Sequence, residues 1–156
     1  MADLIPPLPT KLQLLIVSAD RSLVNETVDE VEIPGADGYF GVLPGHTPML
    51  ASLAVGEMWY RKGQEKTYLS LAYGFAEVLP ERVTILAHLA ERAEDIDIAR
   101  AEEAKRRAEA RLQQAKDVDY ERARTALVKS LARLNVASRG QFAGRVGRQR
   151  MPPPQA

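Results

Sequence analysis

From Asp95 to Val136 the chain contains neither glycine nor proline, and alanine, glutamate, lysine, arginine and leucine dominate. Such residues lose little on entering a helix, so this stretch is expected to be helical. Before it, turn formers recur at short intervals: Pro34-Gly35, Asp37-Gly38, Pro44-Gly45, Gly56, Lys62-Gly63, Gly74 and Pro80-Glu81. The segments between them are short and rich in β-branched and aromatic residues, as strands prefer. The expected fold is therefore an all-β N-terminal sandwich or barrel followed by an antiparallel α-helical hairpin. The boundaries fall at residues 1–90 for the β domain, 91–138 for the hairpin and 139–156 for a basic disordered tail.

The formal net charge is zero over 156 residues. The first 90 residues carry 6 Lys/Arg and 11 Asp/Glu, whereas residues 91–156 carry 15 and 10. An acidic β half is thus joined to a basic arm. The chain has no cysteine, which excludes a disulfide framework, a thiolate nucleophile and a cysteine-ligated zinc. With only His46 and His88 to supply imidazole, a histidine-rich metal site is excluded as well. No stretch approaches the roughly 18 apolar residues that cross a bilayer. The start, Met1 to Pro7, has no signal-peptide pattern, so a cytosolic setting is expected.

Within the β half, Lys11–Ser18 and Val28–Ile33 read as strands. Glu57–Arg61 and Gln64–Leu71 read as a hairpin turning at Lys62-Gly63, and Phe75–Leu79 and Arg82–Ala87 as a second turning at Pro80-Glu81. The expected core is Leu12, Leu14, Ile16, Val31, Ile33, Leu69, Leu71, Val83 and Ile85.

In the basic half, Asp95 is expected to cap a helix reaching about Lys116, and Asp117 a second reaching about Ala137. An antiparallel seam can be written in which the residue numbers of every facing pair add to one value. It sets Ala115 against Tyr120, Leu112 against Ala123, Ala108 against Leu127, Ala104 against Leu131 and Ala101 against Leu134. Each pair places a small residue against a large one, so the helices approach closely and interdigitate. An alanine-rich seam buries little apolar area, at roughly 25 cal/mol per Å², and leaves the hairpin marginally stable by itself. Residues 139–156, with Arg139, Arg145, Arg148, Arg150, three glycines and Pro152-Pro153-Pro154, read as disordered.

Catalytic apparatus is missing. There is no phosphate-binding loop of the G-x-x-x-x-G-K-[ST] type and no nucleophile elbow. His46, braced in Leu43-Pro44-Gly45-His46-Thr47-Pro48, lacks a nucleophile or carboxylate partner, which favours packing or an interface over catalysis. His88 reads as a structural residue ending a strand. No residue is assigned a catalytic role. On the hairpin, Arg100 and Arg107 share one helix face, as do Lys129 and Arg133, and in the closed pair all four fall on the same side. Spacing alone leaves two readings of these cations, a solvated face and a grip for a polyphosphate.

Four segments then occur in order: Gly41-Val42-Leu43-Pro44-Gly45-His46-Thr47-Pro48, Tyr73-Gly74-Phe75-Ala76-Glu77-Val78, Val83-Thr84-Ile85-Leu86-Ala87, and the run from Glu91 to Ala101. With them, residues 11–138 resemble the epsilon subunit of bacterial F1Fo ATP synthase. The resemblance implies a non-catalytic rotor subunit at the foot of the central stalk, held between the gamma subunit and the c-ring. Such a subunit helps couple proton-driven rotation to ATP synthesis in the alpha and beta subunits. It meets the membrane only through the c-ring, at the cytoplasmic face of the bacterial plasma membrane. Its hairpin alternates between a compact form and an extended one associated with inhibition of ATP hydrolysis.

The resemblance also implies roles for particular residues. Ile96-Asp97-Ile98-Ala99-Arg100-Ala101 matches the family's mark of ATP binding in the compact hairpin, with ATP as a regulatory ligand and no required cofactor. By position, Glu91, Asp97, Arg100, Arg107 and Arg133 match nucleotide-contacting residues, and Lys129 stands where an arginine is expected. Lysine keeps the charge and loses the planar two-pronged donor. Tyr39, Leu43, Pro44, Gly45 and His46 match the contact region for gamma and the c-ring, Tyr39 replacing an acidic residue found in some relatives. The alternative is a free-standing basic helical adaptor for nucleic acid or another anionic partner; Glu102, Glu103, Glu109 and Glu121 on the hairpin argue against nucleic acid.

Overall fold

A computed structural model of the protein describes residues 7–114 and 118–146. Seven strands come first: β1 (Leu12–Ser18), β2 (Ser22–Val28), β3 (Glu30–Gly35), β4 (Gly38–Val42), β5 (Met49–Lys62), β6 (Glu65–Leu79) and β7 (Arg82–Arg92). A single 3-10 turn, Ala93–Asp95, leads into helices α1 (Ile98–Gln114) and α2 (Val118–Val146). The strands form one sheet in the order β2-β1-β7-β6-β5-β3-β4, antiparallel throughout except for the parallel pair β1/β7. The sheet curls back on itself, for the Tyr60 hydroxyl on β5 donates to Glu26 on β2 at 3.3 Å and Lys62 pairs with the same carboxylate at 2.7 Å. The result is a sandwich whose interior holds all nine expected core residues at 0% exposure.

Several boundaries differ from expectation. The run Val28–Ile33 is not one strand: Asp29 breaks it into β2 and β3. Its carboxylate pairs with Lys11 and accepts the Gly63 N–H at 2.6 Å, while its own N–H donates to the Arg61 carbonyl at 2.8 Å. β2 before Val28, β4 and the first half of β5 were not anticipated. Gly74, read as a turn, lies inside the continuous strand β6, where Tyr73 (φ 59°) and Gly74 (φ 119°) take positive φ between the pairs Ala72–Leu89 and Gly74–Ala87 without a change of register. A Cβ on Gly74 would lie 2.0 Å from the Leu86 carbonyl oxygen, so the close approach of β7 at this positive φ requires glycine. His88 consequently sits mid-strand across from Tyr73, the two ring centroids 6.4 Å apart, and β7 runs on to Arg92.

The helices also begin and end elsewhere. The cap of α1 is Asp97, not Asp95: Asp97 Oδ1 accepts the Arg100 N–H at 3.0 Å. Ile96 is the reason, since it is buried with Val136 and Ala137 and must precede the helix. Asp95 instead pairs with Arg21 at 2.9 Å. Helix α2 does not stop near Ala137 but continues to Val146, through eight residues of the expected tail. Gly140 and Gly144 each cost a helix only about 1 kcal/mol, and no proline intervenes before Pro152. Ala115, Asp117 and residues 147–156 of the expected seam, cap and tail lie outside the described residues.

Candidate functional site

The hairpin docks through α2 on the outer face of β5 and β6, and functional side chains gather where β7 leads into it. β7 delivers Glu91 to the end of the sheet, the 3-10 turn reverses the chain, and Asp97 starts α1 so that Arg100 lies in its first turn. α2 returns antiparallel and brings Arg133 to Glu91, Nε to Oε2 at 2.5 Å. A cavity of about 200 Å³ is lined by Glu91, Asp95, Asp97, Arg100 and Arg133, with Ile96 and Ala101 beneath. Four of the six expected nucleotide residues therefore share one cavity.

The other two are not brought in. Arg107 is held by Glu103 on its own helix at 3.2 Å, an i,i+4 pair. The Lys129 ammonium lies 5.3 Å from the centre of the Tyr73 ring, drawn there by the π face. The cations of the hairpin are thus split between the cavity, acidic neighbours and an aromatic ring.

Along the seam, Ala101, Ala108 and Ala123 are buried and Ala104, Leu112, Leu127 and Leu134 half-buried. Tyr120 and Leu131 depart from expectation, being 47% and 39% exposed, and Ser130 is the buried residue at that turn. The Ser130 hydroxyl is satisfied by the Ala126 carbonyl at 2.8 Å. Helix α2 serves two surfaces, α1 on one side and the sheet on another, and Leu131 lines a groove on the sheet side with Val128, Ala132, Val55 and Tyr39.

Tyr39 lines that groove, whereas the expected interface residues Leu43 to His46 lie in the loop after β4. The Tyr39 hydroxyl lies over Gly56, 2.5 Å from where a Cβ would stand, so the missing side chain makes room for the phenol. Burial, and then the carboxylates of Glu57 and Glu32, push its pKa above the ordinary value of 10.0, against a backbone hydrogen bond from Glu57. Leu43 to His46 form a separate loop after β4. Gly45 takes φ 84° and donates its N–H to the Pro80 carbonyl at 2.7 Å, tying the loop to the β6–β7 turn. His46 donates its N–H to Leu43 at 3.1 Å, and its Nδ1 lies 2.7 Å from the Thr47 carbonyl. Leu43 and Leu50 project from this end of the sandwich, and Phe75 and Leu86, a directly opposed cross-strand pair, are exposed on the outer sheet face beyond the hairpin.

Sequence reasoning missed the contacts at the far end of α2. Arg139 forms a two-pronged pair with Glu57, Nε to Oε2 at 3.1 Å and Nη2 to Oε1 at 3.0 Å, and its guanidinium stands 5.1 Å from the Tyr68 ring centre. The signal was present in the absence of proline between Ser138 and Val146, where only Gly140 and Gly144 weaken the helix. Among the described residues no group of three or more His, Cys, Asp or Glu side chains is arranged to hold a metal ion, and no helix is long and apolar enough to cross a membrane.

Comparison with known proteins assigns both halves. Residues 11–93 match the ATP synthase delta/epsilon chain β-sandwich domain, and residues 94–138 match the long α-helix domain of the same chain. An ATP synthase epsilon chain from Koribacter versatilis is 55% identical over 98 residues, covering 63% of this chain and 69% of that one. ATP synthase epsilon chain 2 of Syntrophotalea carbinolica is 46% identical over 138 residues, 88% of this chain and 97% of its own length. Among solved structures, a chain of the Euglena gracilis mitochondrial ATP synthase assembly of OSCP, F1 and c-ring superposes with a TM-score of 0.75 at 26% identity. That superposition covers 85% of this chain and 84% of that one. With both domains matched in order and a bacterial relative spanned almost end to end, the chain belongs to the delta/epsilon family of ATP synthase subunits, as an epsilon chain.

Proposed function

We infer that this epsilon chain is a non-catalytic rotor subunit whose sandwich binds the gamma subunit and the c-ring at the cytoplasmic face of the membrane. In this reading it helps couple proton-driven rotation to ATP synthesis in the alpha and beta subunits. The hairpin regulates ATP hydrolysis by leaving the sandwich and reaching toward them. The similar Euglena chain comes from an assembly containing F1 and the c-ring, which supports those partners. On the sandwich, the braced Leu43–His46 loop, the exposed Leu50 and the exposed cross-strand pair Phe75–Leu86 offer the apolar surface such partners need.

One observation carries the regulatory part. The main core is closed within the seven strands, and the hairpin meets the sheet through a separate minor cluster of Ile96, Val136 and Ala137 with Tyr68, Ala93 and Ile98. The arm can therefore detach without opening the main core, so the two arrangements differ by only a few kcal/mol.

ATP is the proposed regulatory ligand of the closed hairpin, with Arg100 and Arg133 as its phosphate partners. The cavity of about 200 Å³ is smaller than the roughly 300–1,000 Å³ of an ordinary small-molecule site. A nucleotide would therefore extend beyond it toward Arg107 and Lys129, which must leave Glu103 and Tyr73 to meet it.

The reading is tested in the assembled enzyme. Removing residues 96–156 should raise ATP hydrolysis while gamma association and proton-driven synthesis persist. Unchanged hydrolysis would contradict the regulatory part, and loss of gamma from a folded sandwich would contradict the rotor assignment.

A further inference from the structure

The match to the family's long-helix domain ends at residue 138, yet α2 continues to Val146 and makes two further contacts with the sandwich just past that limit. The first is the Arg139–Glu57 pair, in which both carboxylate oxygens are engaged by two guanidinium nitrogens. This fork-to-fork geometry fixes orientation as well as charge. The same guanidinium lies over Tyr68, one strand across on β6. The second is Gly140, where a Cβ would fall 2.5 Å from the Ala93 Cβ on the 3-10 turn. Glycine at that position lets the helix lie flush on the turn.

We propose that Arg139 and Gly140 form a latch that holds the hairpin closed on the sandwich without any ligand. Its distance from the phosphate-facing cavity supports the assignment: Arg139 lies six residues beyond Arg133, about 9 Å along the helix axis. Arg139, Glu57 and Tyr68 do not line that cavity. The closed state therefore has two fasteners, Arg133–Glu91 beside the cavity and Arg139–Glu57 outside it. A ligand in the cavity would act on the first and leave the second to set the resting balance. The latch rests on the reading of the hairpin as a two-state arm; it does not depend on ATP binding.

Amide hydrogen exchange on the full chain without nucleotide tests it. Arg139→Ala should increase exchange of residues 131–141 roughly tenfold, from the lost two-pronged pair and ring contact, while β1 and β7 exchange as before. Gly140→Leu should produce the same pattern by forcing the helix off Ala93. Reversing both charges, Glu57→Arg with Arg139→Glu, should restore most of the protection that either change alone removes. Arg124→Ala, whose side chain pairs only within α2 among the described residues, should leave exchange unchanged. Protection within twofold of wild type in both Arg139→Ala and Gly140→Leu would overturn the latch. So would a charge-reversed pair no better protected than its single variants. If ATP later proves not to bind while these effects hold, the nucleotide reading fails and the latch stands.

Discussion

Arg133 on α2 and Glu91 at the end of β7, 42 residues apart in sequence, form a 2.5 Å ion pair with side chains only 28% and 24% exposed. Among the described residues the pair is the one direct charge link between the returning helix and the strand that feeds the hairpin. Its low exposure spares it much of the screening that makes surface pairs weak.

Removing the cation leaves a half-buried carboxylate unpaired. Arg133→Ala should destabilise hairpin docking by about 1–3 kcal/mol. Glu91→Gln, which keeps an acceptor for the guanidinium, should cost less. Exchange protection of α2 in the two variants checks the order; equal effects would mean the charge is irrelevant to docking.

Gly74 gives the β domain its most restrictive position. Gly74→Ala combines a backbone at φ 119° with a Cβ at 2.0 Å from the Leu86 carbonyl, and should cost about 2–6 kcal/mol. Gly38→Ala shares the positive φ, 128°, but meets nothing within 4 Å, so strain alone applies, about 1–3 kcal/mol. Thermal unfolding should rank Gly74→Ala well below Gly38→Ala.

Acid should weaken the sandwich through Glu26 and Asp29. The Lys62 hydrogen bond holds Glu26 below its ordinary 4.5, and the Lys11 hydrogen bond followed by the Gly63 N–H holds Asp29 below 3.8. Because both folded values are lowered, the stabilisation is complete above those ordinary values and is lost as pH falls through the lowered ones. Lys62 is raised above 10.5 by the same Glu26 bond, so its share is complete below 10.5 and fades as pH rises through the raised value. In a denaturant series from pH 7 to pH 2, Glu26→Gln should flatten the acid limb.

For nucleotide, Arg100→Ala should weaken ATP binding at least tenfold, the loss of one charge-assisted partner costing about 1.5–3 kcal/mol. Arg122→Ala, beside the hairpin tip with Arg111 and Asp119, should change it little. Lys129→Arg should tighten it by restoring a planar donor. Calorimetry on the isolated chain distinguishes these outcomes, and equal affinities for wild type and Arg100→Ala would remove the site.

The interior was the most legible part of this chain. Alternation along β1, β6 and β7 places Leu12, Leu14, Ile16, Leu69, Leu71, Val83 and Ile85 inward without reference to any partner strand, because side chains on a strand change face at every residue. Strands with weaker patterning were not legible: β2 carries Asn25-Glu26-Thr27 in its middle, and the edge strand β4 begins and nearly ends in glycine. Gly74 misled because a glycine marks a turn or a close backbone approach within a strand equally well until the neighbouring strand is known. On the hairpin, small residues at helical spacing located a seam, but α2 also packs on the sheet, so periodicity could not tell Ser130 from Leu131. At the site, spacing brought Arg100 and Arg133 to one side. It could not foresee that Glu103 and the Tyr73 ring would claim Arg107 and Lys129.

The most direct measurement of the central claim is the distance from the sandwich to the hairpin with and without ATP. The chain has no native cysteine, so labels at Gln64→Cys and Gln113→Cys, both exposed positions, report on the β5–β6 turn and α1 alone. Pulsed electron–electron resonance should give a short and a long population in the assembled enzyme without nucleotide, collapsing to the short one at millimolar ATP. A single distance that ATP leaves unchanged, in the assembled enzyme and the isolated chain alike, would contradict a nucleotide-biased hairpin.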